Sequence, residues 1–324
     1  MILRDIGPQR TVVDPWRHPT LEFLTDPGSW WIQPFTDDPA MQRALAAALL
    51  TVVVTSVVGT WVVLRGSTYI GEALGHGVLP GVAVAVVVGG DPTFGALVAA
   101  VLLVLGVGAV QRRSPLPGES AIGLALVGML ALTVVIAAAS DSFDAHDLDA
   151  LLFGSLLDTT GGDLVRQAAL VVVTVGVVLV FHRALLVLTF DETQAELLGL
   201  RPRLTETVFL MLVAVTVTAS FEAVGGLLVF GFLVAPPATA ALMVRRVPAV
   251  MATSMGIGTG AVVLGALLTH HLLGESSGQE GVVDALVPGT PEGMAMAAVM
   301  ALVTVGAFLV VLVARGRPAD SSSR

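Results

Sequence analysis

The run Ala168-Ala-Leu-Val-Val-Val-Thr-Val-Gly-Val-Val-Leu-Val180 decides the fold. It is apolar on every face of a helix. A membrane β-barrel strand would instead alternate polar and apolar residues. Met296–Val313 has the same character. Apolar runs near the ~20 residues that cross a bilayer recur near 44–64, 69–89, 94–110, 121–139, 164–181, 207–220, 224–243, 249–273 and 294–314. The sixth and seventh are nearly continuous, so they fold either as two spans or as one span plus a re-entrant piece. The expected fold is an all-α polytopic membrane protein with eight or nine transmembrane helices, multi-pass in the cell membrane.

Composition agrees. Of 324 residues, 55% are hydrophobic and 13% charged, against about 25% charged in soluble domains. Mean hydropathy is +0.89. Cysteine is absent, which excludes disulfides and thiolate metal sites. All 16 basic residues are arginine. The phosphate-binding loop of ATPases needs a lysine, so a nucleotide that drives this chain must be bound by another subunit. There is no basic patch for nucleic acid. No His-Glu-x-x-His or Gly-x-Ser-x-Gly pattern occurs, so zinc-protease and serine-hydrolase signatures are missing.

Three regions follow along the chain: a polar N-terminal tail (1–41), a transmembrane domain (42–314) and a disordered polar C-terminal tail (315–324). Residues 1–10 lack the apolar core of a secretory signal. Trp30 and Trp31 suit an interface ahead of the first span. Arg65, Arg112, Arg113, Arg183, Arg201, Arg203, Arg245, Arg246, Arg315 and Arg317 fall in alternate connections. The other connections carry Asp91, the run Asp141–Asp149 with His146, Asp158, Asp163, Glu275, Glu280, Asp284 and Glu292, with Arg166 as the basic residue among them. The positive-inside rule makes the arginine-bearing connections cytoplasmic. Nine spans then put the N-terminus outside, although Arg4, Arg10, Arg17 and Arg43 pull the other way.

Within Tyr69–Gly89 stand Glu72 and His76. Four apart on a helix, they share one face, roughly 6 Å apart along the axis. A carboxylate at membrane depth costs on the order of 2.5–3.5 kcal/mol on insertion scales, so it usually faces a partner or an ion path. Carboxylate plus imidazole suits Zn, Mn or Fe. The alternative is a helix-end acid that snorkels and a histidine that packs. Gly71, Gly75, Gly77 and Gly81 permit close helix approach, and Pro80 removes a backbone donor and kinks the span. Pro236-Pro237 interrupts Leu227–Met243, either as a broken helix near the route or as a span end ahead of Arg245. Non-helical backbone at that depth is tolerated only when buried in protein or lining a cavity. Glu222 reads as an exposed turn acid.

On the arginine-bearing side, Phe190-Asp-Glu-Thr-Gln-Ala-Glu-Leu-Leu-Gly199 has helix-start acids Asp191 and Glu192 and a C-capping Gly199. It reads as a short amphipathic helix along the membrane, either docking a partner or simply forming a surface loop.

Trp61-Val-Val-Leu-Arg-Gly-Ser-Thr-Tyr-Ile-Gly-Glu-Ala-Leu-Gly-His-Gly-Val-Leu-Pro-Gly-Val-Ala83 resembles the second-span signature of the metal-ion ABC transporter permeases (zinc, manganese and iron uptake, ABC-3 type). Asp147–Gly154, Phe190–Gly199 and Ala223–Ala240 match the same family in the same order, and the resemblance covers roughly 40–314. It implies a bundle of the ABC-3 and cobalamin-permease type. It also implies that two permease subunits, identical or different, form the channel, that cytoplasmic ATP-binding subunits drive it, and that an extracytoplasmic metal-binding protein delivers the ion. By this resemblance Glu72 and His76 contact metal in transit. Phe190, Asp191, Glu192, Gln194, Ala195, Glu196 and Gly199 belong to the ATPase-coupling helix, and Pro80, Pro236 and Pro237 are pathway candidates. No cofactor is held permanently; the divalent ion is cargo.

Three departures stand out. Glu72 replaces the family's usual Asp, Gly75 and Gly77 flank His76 where Ser or Ala is common, and the N-terminal tail and the stretch Gly274–Gly293 are longer than expected. The reading that follows is a permease subunit importing a divalent transition metal, without an enzymatic activity of its own. A permease for a metal chelate such as a siderophore or cobalamin, an ATP-independent carrier driven by an ion gradient, and a non-transporting scaffold are the alternatives. The sequence leaves the metal itself open.

Overall fold

The computed structural model describes residues 39–113, 118–139, 156–272 and 292–316. The acidic run Asp141–Asp149 with His146, both terminal tails and most of Gly274–Gly293 lie outside these residues. Among them every regular element is helical: α1 Pro39–Leu64, α2 Thr68–Gly77, α3 Leu79–Val88, α4 Pro92–Arg113, α5 Gly118–Ala138, α6 Gly161–Phe190, α7 Glu192–Leu197, α8 Pro202–Val224, α9 Gly226–Met243, α10 Val247–Leu272 and α11 Glu292–Gly316, with one 3₁₀ turn at Leu156–Asp158. Among the described residues, eight spans are long and apolar enough to cross a membrane: α1, α2 with α3, α4, α5, α6, α8, α10 and α11. A shorter apolar helix, Leu228–Met243 within α9, is the ninth candidate. The chain is a multi-pass membrane protein.

Helix α1 is the hub. It packs on α6, α8, α9 and α10, and 72% of its most apolar stretch is buried, more than in any other span. Small residues make this possible: Ala44, Ala47 and Ala48 are wholly buried, and helices in lipid associate through such residues because backbones can then approach closely. Its buried hydroxyls are satisfied locally. Thr55 donates to the Thr51 carbonyl (2.7 Å) and Thr60 to the Ser56 carbonyl (2.7 Å). Gln167 of α6 donates to the Ala47 carbonyl (3.1 Å) and to Thr51 Oγ1 (3.0 Å). Ser254 of α10 reaches Ser56 (3.0 Å). Pairing matters here, because unsatisfied polar groups in hydrocarbon cost several kcal/mol each.

These contacts orient the bundle. Gln167 meets the start of α1, and His182 meets Trp61 near its end (ring centroids 5.4 Å apart, edge-on). So α1 and α6 run parallel. Arg166 bridges the α3–α4 turn at one end of the bundle. Arg65 pairs with Glu206 at the other, where Arg315 also donates to the Met243 carbonyl (3.1 Å). The arginine-rich connections thus gather at one end, as the charge pattern predicts, and that end is cytoplasmic by the positive-inside rule.

Pro236 and Pro237 correct an expectation. Helix α9 runs unbroken through both. The break falls instead at Gly225 (φ +77°), between α8 and α9. Pro237 has no N–H for the carbonyl four residues back, that of Leu233. That carbonyl lies against Gly59 of α1: a Cβ on Gly59 would stand 2.1 Å from it. A buried, closely packed environment thus accommodates the helix through its prolines, and α9 stays helical there. The Gly225-Gly226 pair, a local breaker signal, marks the real boundary.

Candidate metal path and coupling surface

Helix α2 has two unlike faces. Gly71, Ala73, Leu74, Gly75 and Gly77 are buried. A Cβ on Gly71 would lie 2.6 Å from the Leu233 side chain of α9. One on Gly77 would lie 2.5 Å from Leu103 of α4, and Gly75 sits 3.5 Å from the Gly226 carbonyl by the same measure. The glycines therefore serve packing. The other face presents Tyr69 and Glu72, both exposed, and His76, half-buried. Counting 1.5 Å per residue, Glu72 and His76 stand about 6 and 12 Å into the span from Thr68. Both lie at membrane depth on the side that faces away from the chain's own core. Among the described residues, no hydrogen bond or ion pair reaches either side chain, and no group of three or more His, Asp or Glu converges on one point. Among the described residues, one chain therefore brings two candidate donors to this face and no closed cage.

Pro80 acts as expected. Helix α2 ends at Gly77 and α3 begins at Leu79, with Pro80 in its first turn. The Val78 carbonyl accepts from Gly81 (3.1 Å) and Val82 (3.2 Å), so the ladder restarts just after His76. Beyond the kink, Gly81 and Gly95 meet backbone to backbone: a Cβ on either would fall within 2.3 Å of the other's carbonyl. This fixes α3 on α4. On the buried side of α2, a cavity of about 20 Å³ is lined by Ile70, Ala73, Leu74, Leu103, Val104, Val107, Ile122 and Leu210, all apolar. It does not serve the Glu72/His76 face.

At the arginine-rich end, α7 is shorter than the sequence suggests. Phe190 is the last residue of α6, and Asp191 caps α7 by accepting from the Gln194 N–H (2.9 Å). Gly199 closes it at φ +71°, with Gly199 N–H to Glu196 O (3.0 Å) and Leu200 N–H to Ala195 O (3.0 Å). This 6→1 and 5→2 pair is a Schellman cap, which favours glycine. Ala195 is buried where α7 rests on α6 and α8. Phe190, Leu197 and Leu198 are exposed, as are Gln194 and Glu196. Apolar side chains of α7 and its flanks are therefore exposed.

Two features escaped the sequence. The first is at the outer end. Asp91 accepts from the N–H groups of Thr93 (2.8 Å) and Phe94 (3.1 Å), capping α4, and pairs with Arg166 at 2.6 Å. Arg166 also holds Asp163 (2.9 Å), so the start of α6 is clipped to the α3–α4 turn. Partial burial raises the Asp91 carboxyl, but the two N–H groups and the Arg166 guanidinium outweigh it and hold it below its ordinary 3.8. The second is Arg65, whose guanidinium lies 4.4 Å from the centroid of Phe209 and 3.9 Å from Glu206. Neither could be found from sequence spacing, because each joins helices far apart in the chain.

Comparison with known proteins follows the geometry. A sequence model of the ABC 3 transport family matches residues 37–287. The chain is 30% identical over 225 residues to the manganese transport system membrane protein MntC of Halalkalibacterium halodurans, covering 69% of this chain and 77% of that protein. It is 30% identical over 248 residues to the chelated iron transport system membrane protein YfeD of Yersinia pestis, covering 76% and 83%. Among solved structures, PsaBC from Streptococcus pneumoniae in complex with Fab superposes with a TM-score of 0.72 at 26% identity, over 87% of this chain and 94% of that one. An inward-facing putative metal-chelate type ABC transporter shares the fold, with a TM-score of 0.62 at 17% identity over 95% and 93%. The helical bundle, its membrane spans and the match across most of its length establish that this chain belongs to the ABC 3 transport family.

Proposed function

We propose that the chain is the membrane-spanning permease subunit of an ATP-driven importer of a divalent transition metal ion. The observation that carries this is the outward face of α2, where Glu72 and His76 stand together at membrane depth beside the Pro80 kink. The manganese and chelated-iron names of the relatives support the cargo class. Oxygen and imidazole donors suit Mn, Fe or Zn. A second permease subunit covers this face and supplies the remaining donors, so that an ion passes between the two copies and is held weakly enough to leave. Carboxylate and neutral imidazole are the binding forms, so protons compete with the ion.

Cytoplasmic ATP-binding subunits dock on α7 and hydrolyse the ATP, since this chain has no lysine for a phosphate-binding loop. An extracytoplasmic metal-binding protein delivers the ion to the opposite end. A chelate carried whole would need no coordinating side chains in the span, and Glu72 with His76 favours the bare ion. The test is the manganese, iron and zinc content of cells with and without the gene under metal limitation. A fall in one of the three is expected on deletion. Unchanged content of all three contradicts the proposal.

A further inference from the structure

Both helices that flank α7 grip the last turn of α1. Helix α6, which leads into α7, places His182 edge-on against Trp61, whose side chain is 1% exposed. Helix α8, which leads out of α7, places Glu206 beside the Arg65 guanidinium and the buried Phe209 ring beneath it. Arg65 is itself the C-cap of α1. The Gly66 N–H bonds the Val63 carbonyl (3.1 Å) and the Ser67 N–H the Val62 carbonyl (2.9 Å), with Gly66 at φ +65°. This Schellman turn leads directly into α2 at Thr68, one helical turn ahead of Glu72.

We propose that Arg65 is the positioning residue that relays displacement of α7 to the Glu72/His76 helix. The inference rests on the reading of α7 as the coupling helix and of α2 as the ion-bearing one. Only four residues, Leu198, Gly199, Leu200 and Arg201, separate α7 from α8, so a push on α7 moves the first turns of α8. Glu206 and Phe209 lie in those turns. The guanidinium is held on one side by a carboxylate and below by a ring, and its side chain is only 12% exposed. A shift of α8 therefore drags the α1 C-cap, and with it the hinge at Gly66 from which α2 departs. The Arg65–Glu206 charge pair is long and half in solvent, and contributes little by itself. The shape of the clamp does the relaying.

The complete transporter, with its ATP-binding subunits, is reconstituted in vesicles, and Mn²⁺ uptake and ATP hydrolysis are measured together. R65A should lower uptake per ATP hydrolysed by about tenfold, within the usual range of coupling between sites, while hydrolysis itself changes little. R65K should recover part of that ratio, because a cation over Phe209 remains. A wild-type ratio in R65A overturns the relay. Should R65A fail to assemble, F209L decides in its place: a lowered ratio supports the relay and a wild-type ratio overturns it.

A second readout does not depend on the cargo. The chain lacks cysteine, so spin labels at Y69C and V172C report ATP-driven movement of α2 against α6. That movement should vanish on adding R65A, and its survival overturns the relay even if Mn²⁺ is not the ion carried. E72A/H76A distinguishes the two readings. Wild-type uptake in that variant removes the ion site, and the Arg65 arms still stand or fall on their own ratio and distance.

Discussion

Gly59 of α1 lies against the main-chain carbonyl of Leu233 in α9, so close that a Cβ would stand 2.1 Å from the oxygen and 3.0 Å from the Pro237 ring. The contact joins the most buried span to the helix that carries two consecutive prolines. Close Cα–H approach to a carbonyl recurs at helix–helix interfaces. Here it sits on the oxygen that Pro237 leaves without its helical donor.

Gly59→Ala should therefore destabilise the bundle, since backbone must move to admit the methyl group. Overpacking of this kind costs about 1–3 kcal/mol. The thermal unfolding midpoint in detergent should fall. Gly106→Ala is the contrast: its position has open space around it, and a helical alanine is favoured over glycine by roughly 1 kcal/mol, so its midpoint should hold or rise.

At the outer end, Asp91 links acidity to stability. Its folded carboxyl titrates below the ordinary value of 3.8, so its contribution is complete above that value and is lost as pH falls through the lowered one. Unfolding midpoints of the wild type should be level from neutral pH down to about pH 5 and drop more steeply below it than those of Asp91→Asn. The difference should be small, because the side chain is about half exposed (49%).

Bundle architecture was legible because apolarity on every face is a property of each segment alone. The arginine pattern likewise located one end, and Asp191 and Gly199 marked the bounds of α7 by cap chemistry. Glu72 and His76 share a face as their spacing requires. Pro236 and Pro237 misled because a proline inside a helix is a local signal, and the contact that accommodates it comes from Gly59 in another helix. Phe190 closes α6 instead of opening α7: the apolar run ends near 181, but the helix continues to Phe190 because Leu185 and Leu188 are buried against the bundle. Arg65 and the Asp91–Arg166 clip depend on helices brought together only by folding.

Leu197 is 82% exposed on α7 and would be buried by an ATP-binding subunit. Leu197→Asp should weaken co-purification of that subunit by roughly thirtyfold, the scale of a ~2 kcal/mol interface hot spot, while the permease remains in the membrane at its normal level. Retention equal to wild type would place the docking surface elsewhere.

Uptake of Mn²⁺, Fe²⁺ and Zn²⁺ by vesicles containing the complete transporter, compared between wild type and Glu72→Ala/His76→Ala, tests the ion path most directly. Loss of accumulation of the transported ion, with the double variant still assembled and still hydrolysing ATP, is the expected result. Accumulation at the wild-type rate in that variant would show that the ion crosses without either side chain.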